Sequence, residues 1–526
     1  MGRVAAWGWW TLVLGIPSIV VLALTVNLIV RAQLHEITTI ISAQSGVLLD
    51  TGVYGLATAV LATALAWTMA HVQHCYRFPG RRVVHWLALV PLVMPSFTLA
   101  MALLVILGHN GLAARALDVD IEIYGLPGLV LAGTLARLPY AYLMVRLFYR
   151  TLDATLFLTA EHLGAGPWKA LRVIAWPRLR MVLFTVFLLV FAETVADLAN
   201  PVVIGGSHRV VASRLYEAVT GEGDLVSGAI YGALLLVPSL GYLLVSRRSA
   251  IRGWDSVISR SSGGWEKSPG VVGWWLVATS WVASGLIALL LGAVVTASFV
   301  TPDGIGIANY RALLEGAHLE ALAWSVLLMV VVVPVSILLA IGGVLLVAPY
   351  RRWIAHAERL CRAVATIPPI MWGFGACVIL IAARTQGVGS VGAQTALHFA
   401  LIAAVLILRS LPTNALLLLN EASRLTPDLR GAAMSLGAKG RTLVRLVYMP
   451  RLRDPVRGAA VLSVARSVTA TSSVVLLSDM LLPLMTARML IDVGAAQFGT
   501  AAAMSVLVCG LVALGAILVW GRPADA

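Results

Sequence analysis

The chain has 526 residues, of which 60% are hydrophobic and only 12% charged, against a charged share of about 25% in soluble domains. A mean hydropathy of +0.92, carried by repeated apolar runs of about 20 residues, excludes a soluble enzyme and a protein with a single anchor. The formal charge of +14 would suit nucleic-acid binding in a soluble protein, but in a membrane protein it is first sorted by side of the bilayer.

In chain order the apolar stretches predict an all-α polytopic membrane protein of about twelve spans. The first six run roughly over 9–30, 47–70, 83–108, 124–149, 179–205 and 226–246, and the second six roughly over 272–299, 321–349, 363–383, 391–418, 458–478 and 498–520. The first span follows only Arg3 and lacks a small-residue cleavage site, so it reads as a retained helix. With the amino terminus in the cytoplasm, about 27 Lys and Arg fall inside, about 7 outside and about 4 within spans, which orients the chain with both termini cytoplasmic. Counting acids as well, the inner face carries about +18 and the outer face about −6. The basicity is thus membrane topology, and no nucleic-acid partner is expected.

Landmarks recur at a constant offset of 273 residues: Pro95 and Pro368, Leu138-Pro139 and Leu411-Pro412, Gly164 and Gly437. Two tandem six-helix copies follow, related by an axis along the membrane normal, with a pathway between them. The expected organisation is a first membrane domain over 1–246, a cytoplasmic Ser/Gly/Arg-rich linker over 247–270 and a second membrane domain over 271–526.

Between the fourth and fifth spans of each copy lies an amphipathic cytoplasmic loop, 152–177 and 425–450, with Gly164 and Pro177, or Gly437 and Pro450, 13 apart. Thr426, Pro427 and Asp428 offer the second loop a cap, a first-turn proline and a favourable acid. Each glycine permits a bend, so two short helices lie at an angle and form a knob, and each proline restarts the chain as the next span. Trp168, Leu171 and Ile174 recur near helical spacing with Lys169 and Arg172 between them.

These loops resemble the EAA loop of ABC importer permeases. The matching positions are Ala160, Gly164, Ile174 and Pro177 in the first copy, and Ala432, Ala433, Gly437, Val447 and Pro450 in the second. The family's leading Glu is replaced by Leu158 and Gly431, and the Leu before its proline by Trp176 and Met449. The fused arrangement, with both membrane domains in one chain, resembles the ferric-iron and thiamine importer permeases, and the resemblance implies the type I (MetI-like) fold. It also implies two copies of a separate ATPase, which carry ATP and Mg, and an extracytoplasmic solute-binding protein. By the same resemblance the ATPase contacts are Gly164, Ala165, Gly166, Pro167, Trp168 and Lys169, and Gly437, Ala438, Lys439, Gly440 and Arg441. The location implied is the bacterial inner membrane.

Ionisable groups within spans mark functional positions. Glu193 and Asp197 stand four apart in the fifth span, and Arg466 occupies the position equivalent to Glu193, so an ion pair across the two copies is expected. Arg137 and Arg409 precede Pro139 and Pro412 and are placed to pair with the acids, bind an anion or face a wet cavity. His398, alone in an apolar run, reads as a satisfied buried side chain. No GxxxxGK[ST], HExxH or paired-Cys site occurs, so no ATP site, metal centre, cofactor or catalytic set is expected on this chain. A small solute is expected, with the acidic outer face favouring cations such as ferric iron or thiamine. The alternative class, an ion-coupled secondary transporter, would use Glu193 and Asp197 as its coupling acids.

Overall fold

The protein, as a computed structural model, is described over residues 8–32, 34–108, 111, 122–248, 268–301, 304–348, 350–387, 390–423, 427–438, 441–478 and 482–520. Of the expected linker, only 247–248 and 268–270 lie within the described residues. The first half contains α1 (Ile16–Arg31), α2 (Ser45–Cys75), α3 (Arg81–Leu89), α4 (Thr98–Leu107), α5 (Leu126–Arg150), α6 (Ala154–His162), α7 (Pro167–Ala170), α8 (Trp176–Val195), α9 (Ala199–Ile204), α10 (Val211–Thr220) and α11 (Leu225–Arg248). The second contains α12 (Val271–Phe299), α13 (Gly316–Val347), α14 (Arg351–Ala365), α15 (Pro369–Thr385), α16 (Val391–Ser423), α17 (Pro427–Ser435), α18 (Arg441–Leu443), α19 (Met449–Val468), α20 (Met485–Gly494) and α21 (Phe498–Trp520). Apart from one two-residue β-pairing, Val300–Thr301 with Gly304–Ile305, the described regular structure is helical.

The repeat read from prolines and glycines extends to the helices. The bounds of α6 and α17, and of α8 and α19, differ by 273 residues at both ends, and α11 and α21 begin 273 apart.

Among the described residues, nine helices are long and apolar enough to cross a membrane, or up to eleven with two bent pairs. The third expected span is a bent pair, Arg81–Val93 with Thr98–Leu107 at 108°, and the ninth, 363–383, falls on the break and second helix of another, Arg352–Ala365 with Pro369–Thr385 at 78°. Pro95 lies in the first break and Pro368 caps the second. A proline removes a backbone donor and crowds the preceding turn, so an apolar run interrupted by one need not continue straight. The eleventh expected span, 458–478, is also corrected: α19 begins at Met449, carries Arg451, Arg453, Asp454 and Arg457, and ends at Val468. Residues 469–478 form turns, because a run of Thr and Ser offers side-chain alternatives to helical bonding.

In each half the same three long helices pack together, α2, α5 and α8 in the first and α13, α16 and α19 in the second. The first helix of each half also reaches across to the other. α1 packs on α11 of its own half and on α15, where the Cβ position of Gly375 lies 2.7 Å from Val21. Likewise α12 packs on α21 and against α2, α3 and α4. A missing Cβ lets helices approach closely where lipid gives little hydrophobic drive for their association.

Histidine–carboxylate contacts tie each half at one end. His208 Nδ1 meets Asp50 at 2.9 Å, and His318 Nε2 meets Asp492 at 3.0 Å, with Arg488 also 3.2 Å from Asp492.

Candidate functional site

The two loops share one backbone design. Asp153 caps α6 by accepting the Thr155 N–H at 2.9 Å; in the second copy, the expected cap Thr426 lies outside the described residues, and α17 starts at Pro427. Gly164 then takes φ +78° and Gly437 φ +86°. Gly164 and Ala165 donate to the carbonyls of Glu161 (2.8 Å) and Ala160 (2.9 Å), and Gly437 and Ala438 donate to Met434 and Ala433, both at 3.0 Å. This double closure ends a helix on a left-handed residue, the conformation glycine adopts without a Cβ penalty. No atom lies within 4 Å of the Cβ position of either glycine, so the requirement is conformational and not one of space.

Beyond the hinge, α7 and α18 each pass into one π-helical turn, Leu171–Ala175 and Val444–Tyr448, again 273 apart. Trp176 donates to the Leu171 carbonyl and Met449 to the Val444 carbonyl, bonds that span five residues. Pro177 and Pro450 follow as the second residues of α8 and α19. The wider turn adjusts the carbonyl register just where proline lacks its N–H, so the helix continues through it.

Exposure repeats as well. Leu171, Ala175, Leu443 and Tyr448 are buried, Ile174 and Val447 half-buried, and Lys169, Arg172, Arg445 and both prolines exposed. Leu163 is 83% exposed and Leu436 89%, with Val173 and Leu446 exposed on the same two loops. Gly166 is exposed, and Ala165 and Ala438 are half-buried. Pro167 and Trp168 open α7 and Arg441 opens α18, and Lys439 and Gly440 lie outside the described residues. The sequence reading passed over Leu163 and Leu436, although Leu-Gly-Ala occurs at both hinges.

The intramembrane charges gather around a cavity of about 500 Å³ lined by both halves. It lies among α5, α8, α11, α16 and α19, with the residues at the two helix breaks, Met94, Ser96, Thr366 and Pro368, also lining it. Non-helical backbone is tolerated at membrane depth where it is buried in protein or lines a cavity.

Asp197 and Glu193 part company here. α8 ends at Val195, so Asp197 falls beyond the helix and is buried. It receives Arg137 Nη2 at 3.0 Å, Tyr54 Oη at 3.1 Å, Asn200 Nδ2 at 2.7 Å and the Ala199 N–H at 3.2 Å. This cluster clips α2, α5 and the α8–α9 turn together. At the matching helix contact, α13, α16 and α19 are joined by a neutral set: Asn414 Nδ2 donates to Ser463 Oγ at 2.8 Å and to Ser336 Oγ at 3.3 Å.

Glu193 is exposed and lines the cavity. The expected Glu193–Arg466 pair does not form: Arg466 Nη1 donates instead to Thr413 Oγ1, one turn along the neighbouring helix from Arg409. Arg409 Nη1 donates to Ser473 Oγ at 3.3 Å. Arg362, which the sequence reading did not single out, joins the lining and pairs with Glu358 at 3.2 Å. His398 is fully buried, with Arg384 Nη2 3.4 Å from its Nε2.

A two-half bundle of membrane helices around a charged central cavity, with two matching surface loops, is the architecture of a transport protein. Residues 62–250 match the family described as "Binding-protein-dependent transport system inner membrane component". The chain is 24% identical over 502 residues to the ferric transport system permease protein FbpB of Actinobacillus pleuropneumoniae, covering 91% of this chain and 71% of that one. It is 27% identical over 198 residues to the thiamine transport system permease protein ThiP of Escherichia coli, covering 36% and 37% of the two chains. Over most of its length the chain is similar to multi-pass permeases of binding-protein-dependent importers.

Proposed function

We propose that this permease imports ferric iron or a thiamine-like solute, delivered by an extracytoplasmic binding protein, using two copies of a separate ATPase. The observation that carries the ATPase reading is the repeated loop. The same glycine conformation, the same π turn and the same exposed leucine occur twice, and two surfaces of one backbone design call for two copies of one partner. Leu163 and Leu436 would add apolar anchors to the contacts centred on residues 164–169 and 437–441. The substrate assignment follows the names of the similar permeases. The charge distribution supports an orientation with both termini and both loops in the cytoplasm. The 273-residue offset supports division into membrane domains 1–246 and 271–526 around a linker.

Closure of the ATPase pair would push the two loops together and turn the cavity from one face to the other. ATP supplies the bias between the two states; the permease supplies contacts that differ between them. Uptake of labelled ferric iron and thiamine by cells making the complete system tests this. Uptake is expected to persist when a protonophore collapses the ion gradients at maintained ATP, and to stop on ATP depletion. The reverse pattern would overturn the ATP-driven reading and turn attention to Glu193 as an ion-coupling acid.

A further inference from the structure

The central cavity holds a charge imbalance. Arg137 closes on Asp197 at 3.0 Å and Arg362 on Glu358 at 3.2 Å. The lining carries two carboxylates, Asp197 and Glu193; with Asp197 held by Arg137, only Glu193 is left for Arg409 and Arg466, and neither forms a salt bridge among the described residues. Their hydrogen bonds go to neutral hydroxyls, Ser473 and Thr413. Arg137 points the same way: it is 7% exposed, and its Nε and Nη1 have no hydrogen-bond partner. Buried guanidinium donors without acceptors are costly in a protein interior, and a carboxylate or phosphate-like oxyanion satisfies them with paired, charge-assisted bonds.

The rest of the lining suits the same ligand. Tyr140, Thr413, Thr469 and Ser472 bring hydroxyls to the wall. No His or Cys lines it, and among the described residues no cluster of His, Cys, Asp and Glu could hold a metal ion. A bare cation would meet unpaired arginines and few ligands.

We propose that Arg409 and Arg466, together with the free edge of Arg137, form an anion-binding centre, so that the solute crosses as a small oxyanion or as a cation masked within an anionic complex. Ferric iron would pass as an anionic chelate and thiamine as a phosphate ester. The proposal rests on the cavity being the transport path of the importer.

The test uses the full chain, purified in mild detergent and titrated at fixed ionic strength with inorganic phosphate, citrate, ferric citrate and thiamine. Fluorescence of Trp372, on the cavity wall, and thermal unfolding report binding. Saturable binding of at least one anion and none of thiamine is expected. Phosphate without ferric citrate would assign a free oxyanion, and ferric citrate without phosphate or citrate a chelate. Arg409→Gln and Arg466→Gln are each expected to weaken binding about tenfold, the scale of a lost charge-assisted contact. Arg409→Lys should retain part of it, and Glu193→Gln should tighten binding by removing the competing carboxylate, a gain that damage to the fold would not produce. Thiamine binding without anion binding, no binding of any anion, or anion affinity unchanged in both Gln variants would overturn the proposal. Retention of the ATPase by the same preparation reads the importer assignment separately. A chain that keeps the ATPase and binds no anion contradicts the anion centre alone, and one that binds anions but retains no ATPase contradicts the importer reading alone.

Discussion

Arg137→Ala is expected to destabilise the first half by about 3–5 kcal/mol, the scale found when one partner of a buried ion pair is removed. Asp197 would keep three donors, Tyr54, Asn200 and the Ala199 N–H, but lose its counter-charge while remaining buried. Because the cluster holds α2, α5 and the α8–α9 turn together, the loss should appear as a lower melting temperature and a poorer yield of folded protein. Arg137→Ala combined with Asp197→Ala should recover much of the loss, because no uncompensated charge is then left behind. In the second half α13, α16 and α19 are bridged by Asn414 with Ser336 and Ser463, so a contact among three such helices can be closed by neutral groups. A single variant as stable as the parent, in thermal unfolding followed by tryptophan fluorescence, would remove the structural role assigned to the pair.

The second large effect belongs to the hinges. Gly164→Val with Gly437→Val places β-branched residues at φ +78° and +86°, a strain of about 1–2 kcal/mol at each hinge. Both Cβ positions are in open space, so the substitutions act on backbone conformation and not through a clash with the bundle. The loops are expected to re-angle, and the permease to fold and insert but lose its ATPase. Gly164→Asn with Gly437→Asn should be milder, because Asn tolerates the left-handed region. Copurification of ATPase activity at equal permease yield measures the difference. Equal retention by the parent and the Val double variant would contradict the hinge account.

Much of the architecture was legible in the sequence because a membrane limits the choices. Long apolar runs must be helices, and a repeated proline or glycine marks a repeated break. Gly164 and Gly437 could be read as hinges since few residues serve a left-handed turn. What failed were inferences that assumed straight helices. Glu193 and Asp197 share a face only if α8 continues past Val195, and its ending there turns Asp197 into a buried cluster at the cavity wall while Glu193 stays exposed to the cavity. The Glu193–Arg466 pair failed for a related reason, since an equivalent position in a repeat fixes a place in the fold but not the rotamer that a nearby Thr413 hydroxyl selects. The span expected over 458–478 was drawn by hydropathy alone, which does not register a helix that starts earlier among arginines and stops at a Thr/Ser run. The crossing of α1 and α12 onto the opposite half had no local signal, because helix length and apolarity say nothing about which neighbour is chosen.

The most direct measurement is the number of ATPase subunits retained per permease chain after affinity purification of the tagged protein in mild detergent. Two hinged loops of the same geometry predict two ATPases for each chain, with both lost together in the Gly164→Val, Gly437→Val variant. A purified permease that retains no ATPase under any mild condition would contradict the account.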